Sequence, residues 1–141
     1  MLGHNGQRVL QGCPKTMPLS YIGSRSRSFG CALRGIATLV RTQPNARIHL
    51  LAAIAVVIAG IWCRLSLVEW ALSTIAIAGV LVSEALNTAV EFVVDLASPE
   101  LHPLARQAKD VAAGGVLLAA MASVAIGIFV FGPRLARIFY S

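Results

Sequence analysis

Apolar residues in this chain gather into three long runs separated by short polar breaks. Ile48 to Cys63 is apolar apart from His49, Leu65 to Ser83 carries one charge, Glu69, and Val111 to Phe131 carries none. Runs of this length predict three membrane-spanning helices, at about 48–63, 65–83 and 111–131. The first stands at the short end of the ~17–25 residues that a crossing takes. Arg47 and Arg64 flank it and can snorkel to extend its reach.

Around these runs the pattern changes. Ser28 to Arg41 has helical period, with Phe29, Leu33, Ile36, Ala37 and Val40 on one face and Arg34 and Arg41 off it. Such a helix lies in the membrane interface with its cations among the head groups. Pro44 ends it, because the residue before a proline is pushed out of the α region and the proline can open the next helix. Residues 1–27 are basic and rich in Gly, Pro and Ser, which predicts a disordered segment with no apolar core for a signal peptide. Arg64 to Leu67 reads as a tight turn, Ser98 to Gln107 as a compact polar loop, and Gly132-Pro133 as the end of the last helix. Glu69, beside Trp70 in an aromatic belt, is placed at the far interface with Arg64 as its ion partner.

The second run does not stop at Ser83. Its helical period continues to Ala97, where Ser98-Pro99 halts it, and its end is polar on one side only. At about 100° per residue, Glu84, Asn87, Thr88, Glu91 and Asp95 form one stripe. Carboxylates where a helix is leaving hydrocarbon are costly unless they hold a cation or a proton. Lys109-Asp110, at the polar start of the third crossing, is the nearest further charge in sequence.

Composition strengthens the membrane reading. Of 141 residues 57% are hydrophobic and 13% charged, with a mean hydropathy of +0.75, more apolar surface than so small a soluble domain could bury. The net charge of +6 comes from ten arginines and two lysines placed at the ends of apolar runs, which argues for topology and against a nucleic-acid partner. Nine of those twelve cations lie in the N-terminal segment up to Arg47 or at Arg106 and Lys109. By the positive-inside rule the N-terminus and the acidic stripe are cytoplasmic and the C-terminus is outside. Cys13, Cys31 and Cys63 are too scattered for a zinc site, so any metal here is a hard cation on carboxylate oxygen. Small residues recur through the first and third spans (Ala52, Ala55, Ala59; Ala108, Ala112, Gly115, Ala119), which favours close helix packing and homo-oligomers.

Four chemistries suit the stripe. The carboxylates can pair with Arg106 and Lys109 and do nothing more. They can line a proton or cation path, although no polar chain crosses the other two helices. They can serve metal-assisted phosphoryl transfer, with Glu91 and Asp95 for Mg²⁺, Lys109 for the phosphoryl charge, and Glu84, in the most apolar surroundings, as base. Hydrolysis would use a similar set with water as nucleophile. The common nucleotide-binding loops are missing from the sequence. Spacing alone does not separate phosphoryl transfer from a conducting path.

The stripe EALNTAVEFVVD, Glu84 to Asp95, resembles the signature E-x-x-N-[ST]-A-[IV]-E-x-x-x-D of the small prokaryotic integral-membrane diacylglycerol kinases and the related undecaprenol kinases. Ala108-Lys109-Asp110, the segment from Thr42 to Leu50, and Phe29-Gly30 with Gly35 are also similar to that family, over about residues 29–133. The resemblance implies an all-α homotrimer of three-span subunits, each with an N-terminal surface helix, in a bacterial inner membrane. It implies transfer of the γ-phosphate of MgATP to the primary hydroxyl of a membrane lipid by a kinase domain over 28–141.

Carried over by position, Glu84 is the general base and contacts the lipid, and Asn87 positions the reacting groups. Glu91 binds metal and nucleotide, Asp95, Lys109 and Asp110 bind nucleotide, and Arg47 is structural or lipid-facing. Two positions depart from the family pattern. Gln43 stands where a second metal-binding Glu is frequent, and a neutral amide holds Mg²⁺ more weakly. Cys31 stands where the surface helix often carries an aromatic. Diacylglycerol is the leading acceptor, and undecaprenol follows closely because the loop from His102 to Asp110 is more similar to the undecaprenol-type relatives.

Overall fold

The computed structural model describes residues 21–98, 100 and 102–139. The chain is all-α: α1 Tyr21–Thr42, α2 Pro44–Trp62, α3 Leu67–Ala97 and α4 Pro103–Phe139. It divides into two units, Met1–Thr38 and Leu39–Ser141. The expectation of disorder falls on residues 1–20 outside the described ones, but its last part is corrected. The helix predicted over 28–41 begins earlier, at Tyr21. Between Tyr21 and Ser28 there is no proline and only Gly23 is a poor helix former, so nothing local stops the turn from continuing. Its apolar residues Phe29, Leu33 and Ile36 are exposed, as an interfacial helix requires.

In the second unit the corner before α2 follows from Pro44. Gln43 is extended, at φ −106° and ψ 112°, and the proline occupies the first turn of α2. Arg47 closes the corner by donating from Nε to the Val40 carbonyl at 2.8 Å and from its guanidinium to the Arg41 carbonyl. At the far end of α2, Leu65 N–H donates to the Gly60 carbonyl and Arg64 N–H to that of Ile61, the paired bonds of a Schellman ending. Arg64 takes the left-handed conformation there, with φ 51°. Gly60 is required by contact: a Cβ would stand 2.8 Å from the Trp70 ring.

α3 opens on a capping box. The Ser66 hydroxyl accepts from Glu69 N–H, and the Glu69 carboxylate accepts from Ser66 N–H at 2.8 Å. The expected Glu69–Arg64 pair is not formed. Arg134 of α4 instead donates twice to Glu69, once at 2.7 Å, and also reaches the carbonyls of Cys63 and Val130. That arrangement bears on a second correction, because α4 does not end at Gly132-Pro133 but runs through Pro133. Arg134 ties the turn around the proline to α3 and to the α2–α3 connection. The loop after α3 is likewise shorter than 98–107. α4 begins at Pro103, and Leu104 N–H donates to His102 Nδ1 at 3.2 Å.

Within this unit α3 packs mainly along α4 and more lightly against α2. Ser123 of α4 donates to the Ala76 carbonyl of α3 at 3.1 Å as well as to its own helix. Among the described residues the buried apolar set is small: Ala46, Leu65, Val80, Val116 and Val130. Large apolar side chains such as Trp62, Leu67 and Phe129 stand outward. α2, α3 and most of α4 are each long and apolar enough to cross a membrane. Outward apolar faces on helices of this length suit a lipid surrounding.

Candidate active site

Helical spacing brings Glu84, Asn87, Thr88 and Glu91 to one side of α3, and burial separates their tasks. Glu84 is 1% exposed, Thr88 4% and Asn87 7%. Thr88 donates its hydroxyl to the Glu84 carbonyl at 3.0 Å, a bond that engages the hydroxyl within its own helix. Asn87 Nδ2 donates to Glu91 Oε1 at 3.0 Å, and Gln43 Nε2, arriving from the α1–α2 corner, donates to Glu91 Oε2 at 2.9 Å. Two amides therefore hold one carboxylate, each engaging one oxygen.

Glu84 is different. Both of its carboxylate oxygens, and Asn87 Oδ1, are buried without a hydrogen-bond partner. Leaving three acceptors unsatisfied in an apolar setting costs on the order of several kcal/mol unless a donor or cation arrives. Glu84 and Asn87 line a cavity of about 230 Å³, together with Asn45 and His49 of α2 and Ala113, Val116, Leu117 and Ala120 of α4. A cavity whose polar wall is rich in acceptors suits a hydroxyl proton, an ammonium or a hard cation.

The outer charges form a separate group. Asp95 pairs with Lys109, and Asp110 lies 3.9 Å from Arg106 in an exposed i,i+4 pair. Lys109 and Asp95 are exposed enough for a nucleotide to compete for them. The predicted stripe thus divides into an inner group (buried Glu84 and Asn87 with half-buried Glu91, and Gln43 added) and an outer group of Asp95, Lys109 and Asp110. Arg47 belongs to neither, since its guanidinium is engaged by backbone carbonyls and does not line the cavity.

Among the described residues no three His, Cys, Asp or Glu side chains come close enough to hold a metal by themselves. Glu91 nevertheless supplies one carboxylate, whose oxygens accept from the amides of Gln43 and Asn87. Mg²⁺ is commonly held by one or two carboxylates and completed by substrate phosphates and water. Glu91 fits that role for a cation brought in with a nucleotide.

His49 of α2 lines the same cavity as Glu84. Asn45 lines it too. Sequence reasoning placed neither at the site, although their i,i+4 spacing puts them on one side of α2. That signal is weak alone, because it marks a face and not what the face meets.

The family described as prokaryotic diacylglycerol kinase matches residues 30–131. An undecaprenol kinase of Bacillus subtilis is 45% identical over 109 residues, which cover 77% of this chain and 89% of that protein. A diacylglycerol kinase of Synechocystis is 43% identical over 101 residues, covering 71% of this chain and 58% of the longer relative.

Proposed function

The chain belongs to the prokaryotic diacylglycerol kinase family of lipid phosphotransferases, and from that premise we propose a reaction centred on Glu84. The γ-phosphoryl group of MgATP passes to the primary hydroxyl of a membrane lipid. Glu84 takes the hydroxyl proton as the lipid oxygen bonds to the γ-phosphorus, the bond from phosphorus to the ADP oxygen breaks, and the proton later leaves to solvent. The observation that carries this reading is a buried carboxylate with neither oxygen hydrogen-bonded, on a residue that lines a cavity one helical turn from Asn87 and two from Glu91. A base must be within reach of the proton it takes.

Asn87 holds Glu91 through its amide and offers its open carbonyl oxygen to the reacting groups. Glu91 would hold Mg²⁺, and the cation would supply charge to offset that developing on the phosphates. Lys109 exchanges Asp95 for a phosphate oxygen, while Asp95 and Asp110 contact other parts of the nucleotide. Gln43 contributes to the metal region by fixing Glu91, in keeping with an amide in place of a carboxylate.

Diacylglycerol is the acceptor that the family description and the Synechocystis relative support. A second reading, undecaprenol, is favoured by the Bacillus subtilis relative, whose similarity extends over 89% of its length. Three slender helices with a small buried core support a homotrimer, in which other copies cover the exposed apolar faces. The cation bias toward the N-terminal segment and the 98–110 loop supports an inner-membrane orientation with the site facing the cytoplasm.

The test is purified protein given ATP labelled at the γ-phosphate and a panel of lipid alcohols in detergent. Label in diacylglycerol is expected, label in undecaprenol alone moves the assignment to the second reading, and ion conductance without lipid labelling contradicts both.

A further inference from the structure

A second cavity, of about 390 Å³, adjoins the Glu84 pocket, and the two share His49 and Ala120 as lining residues. It runs between α2, α3 and α4 and is walled mainly by Ala, Val, Ile and Phe side chains. Besides His49 its polar linings are Ser73 and Ser123, and the Ser123 hydroxyl is spent on the carbonyls of Ala76 and Ala119. The volume is at the low end of the ~300–1,000 Å³ of small-molecule sites, so it suits one hydrocarbon chain and not a bulky head.

The Glu84 pocket has the opposite character. α3 supplies unpartnered acceptors, α4 supplies apolar residues, and the lining side chains of α2, Asn45 and His49, are the ones that carry N–H groups on that side. A ligand that fits both spaces is an alcohol with a hydrocarbon tail, with the tail in the apolar slot and the hydroxyl passing His49 toward Glu84.

We propose that His49 is a substrate-binding residue that anchors the acceptor hydroxyl at the junction of the slot and the Glu84 pocket. A hydroxyl has one proton to donate and two lone pairs to offer. Its proton goes to Glu84, the imidazole N–H donates to one lone pair, and the second lone pair is left for attack on phosphorus. Histidine serves better here than an apolar residue because it keeps a donor in a wall otherwise short of them. The inference rests on the lipid kinase reading and adds to it the residue that sets where the alcohol sits.

The experiment uses full-length protein in phosphatidylcholine vesicles containing the lipid alcohol that the wild type phosphorylates. For His49→Leu, KM for the lipid is expected to rise about tenfold, the scale of one lost hydrogen bond, while KM for ATP stays within about twofold. His49→Gln keeps a donor and is expected to recover most of the loss. Binding of radiolabelled lipid alcohol without ATP, in a Glu84→Gln background, should fall by a similar factor when His49→Leu is added. Should His49→Leu fail to fold, Ala53→Leu narrows the slot and is expected to raise lipid KM alone. An unchanged lipid KM in the folded variants, with phosphorylation intact, overturns the inference and leaves the kinase reading standing. Copies that cross-link through Ala53→Cys would place a second copy in the slot and overturn it as well. A wild type that labels no lipid overturns the kinase reading and this inference together.

Discussion

The side-chain amide of Gln43 donates to Glu91 Oε2 at 2.9 Å, joining the corner before the first crossing to the acidic end of the second. A residue just outside one helix thereby fixes the carboxylate assigned to the metal. It does so without adding the negative charge that a glutamate would bring.

Changing that residue separates its two possible contributions. Gln43→Ala removes one of the two amides on Glu91, and kcat/KM for MgATP is expected to drop about tenfold, the scale of one positioning hydrogen bond. Gln43→Glu is expected to lower the Mg²⁺ concentration for half-maximal rate severalfold. A Mg²⁺ titration that neither substitution moves would show that the 43 position does not act on the metal region.

Glu91 itself should be far more sensitive. Glu91→Ala is expected to raise the Mg²⁺ requirement at least about tenfold, since even residues behind a metal ligand change affinity by ~10–100-fold. Rates measured across a Mg²⁺ series check this, and an unshifted midpoint removes Glu91 from the metal role.

Lys109 pairs with Asp95 at the exposed edge of the site. Lys109→Ala is expected to raise KM for ATP about tenfold and to leave KM for lipid unchanged. Added salt should raise the wild-type KM for ATP as well, because exposed charges are screened. Equal effects on both substrates would place Lys109 in the fold and not at the nucleotide.

The two-sided contact between Arg134 and Glu69 makes a prediction with no catalytic content. Arg134→Ala is expected to lower Tm while KM for both substrates stays constant, and Arg134→Lys should recover only part of the loss, because a lysine cannot reproduce the guanidinium fork. Thermal unfolding in detergent with parallel kinetics checks it. A kinetic change without a stability change would give this end of the bundle a part in turnover.

Much of this architecture was legible from hydropathy. The three crossings and the continuation of α3 through Asp95 follow from apolar runs and a helical stripe, which are local properties. The elements that differed depend on distant partners. α4 continues past Pro133 where Arg134 meets Glu69, and no window around Pro133 contains Glu69. At the site, spacing grouped Glu84, Asn87 and Glu91 because one helix carries them. It could not separate Asp95, which turns to Lys109, nor bring in His49 and Asn45, whose place depends on how α2 meets α3 and α4. Gln43 was noticed through the family resemblance as a departure from a carboxylate, whereas its bond to Glu91 belongs to the folded corner.

The central claim is that the buried, unpartnered carboxylate of Glu84 takes the proton of a lipid hydroxyl. The direct measurement is transfer of labelled γ-phosphate from ATP to lipid by wild type and Glu84→Gln, both purified and shown to be folded by thermal unfolding. General-base removal is expected to slow transfer by at least ~10²–10⁴-fold, with Mg²⁺ and ATP dependence otherwise intact. Transfer by folded Glu84→Gln at close to the wild-type rate would contradict the account.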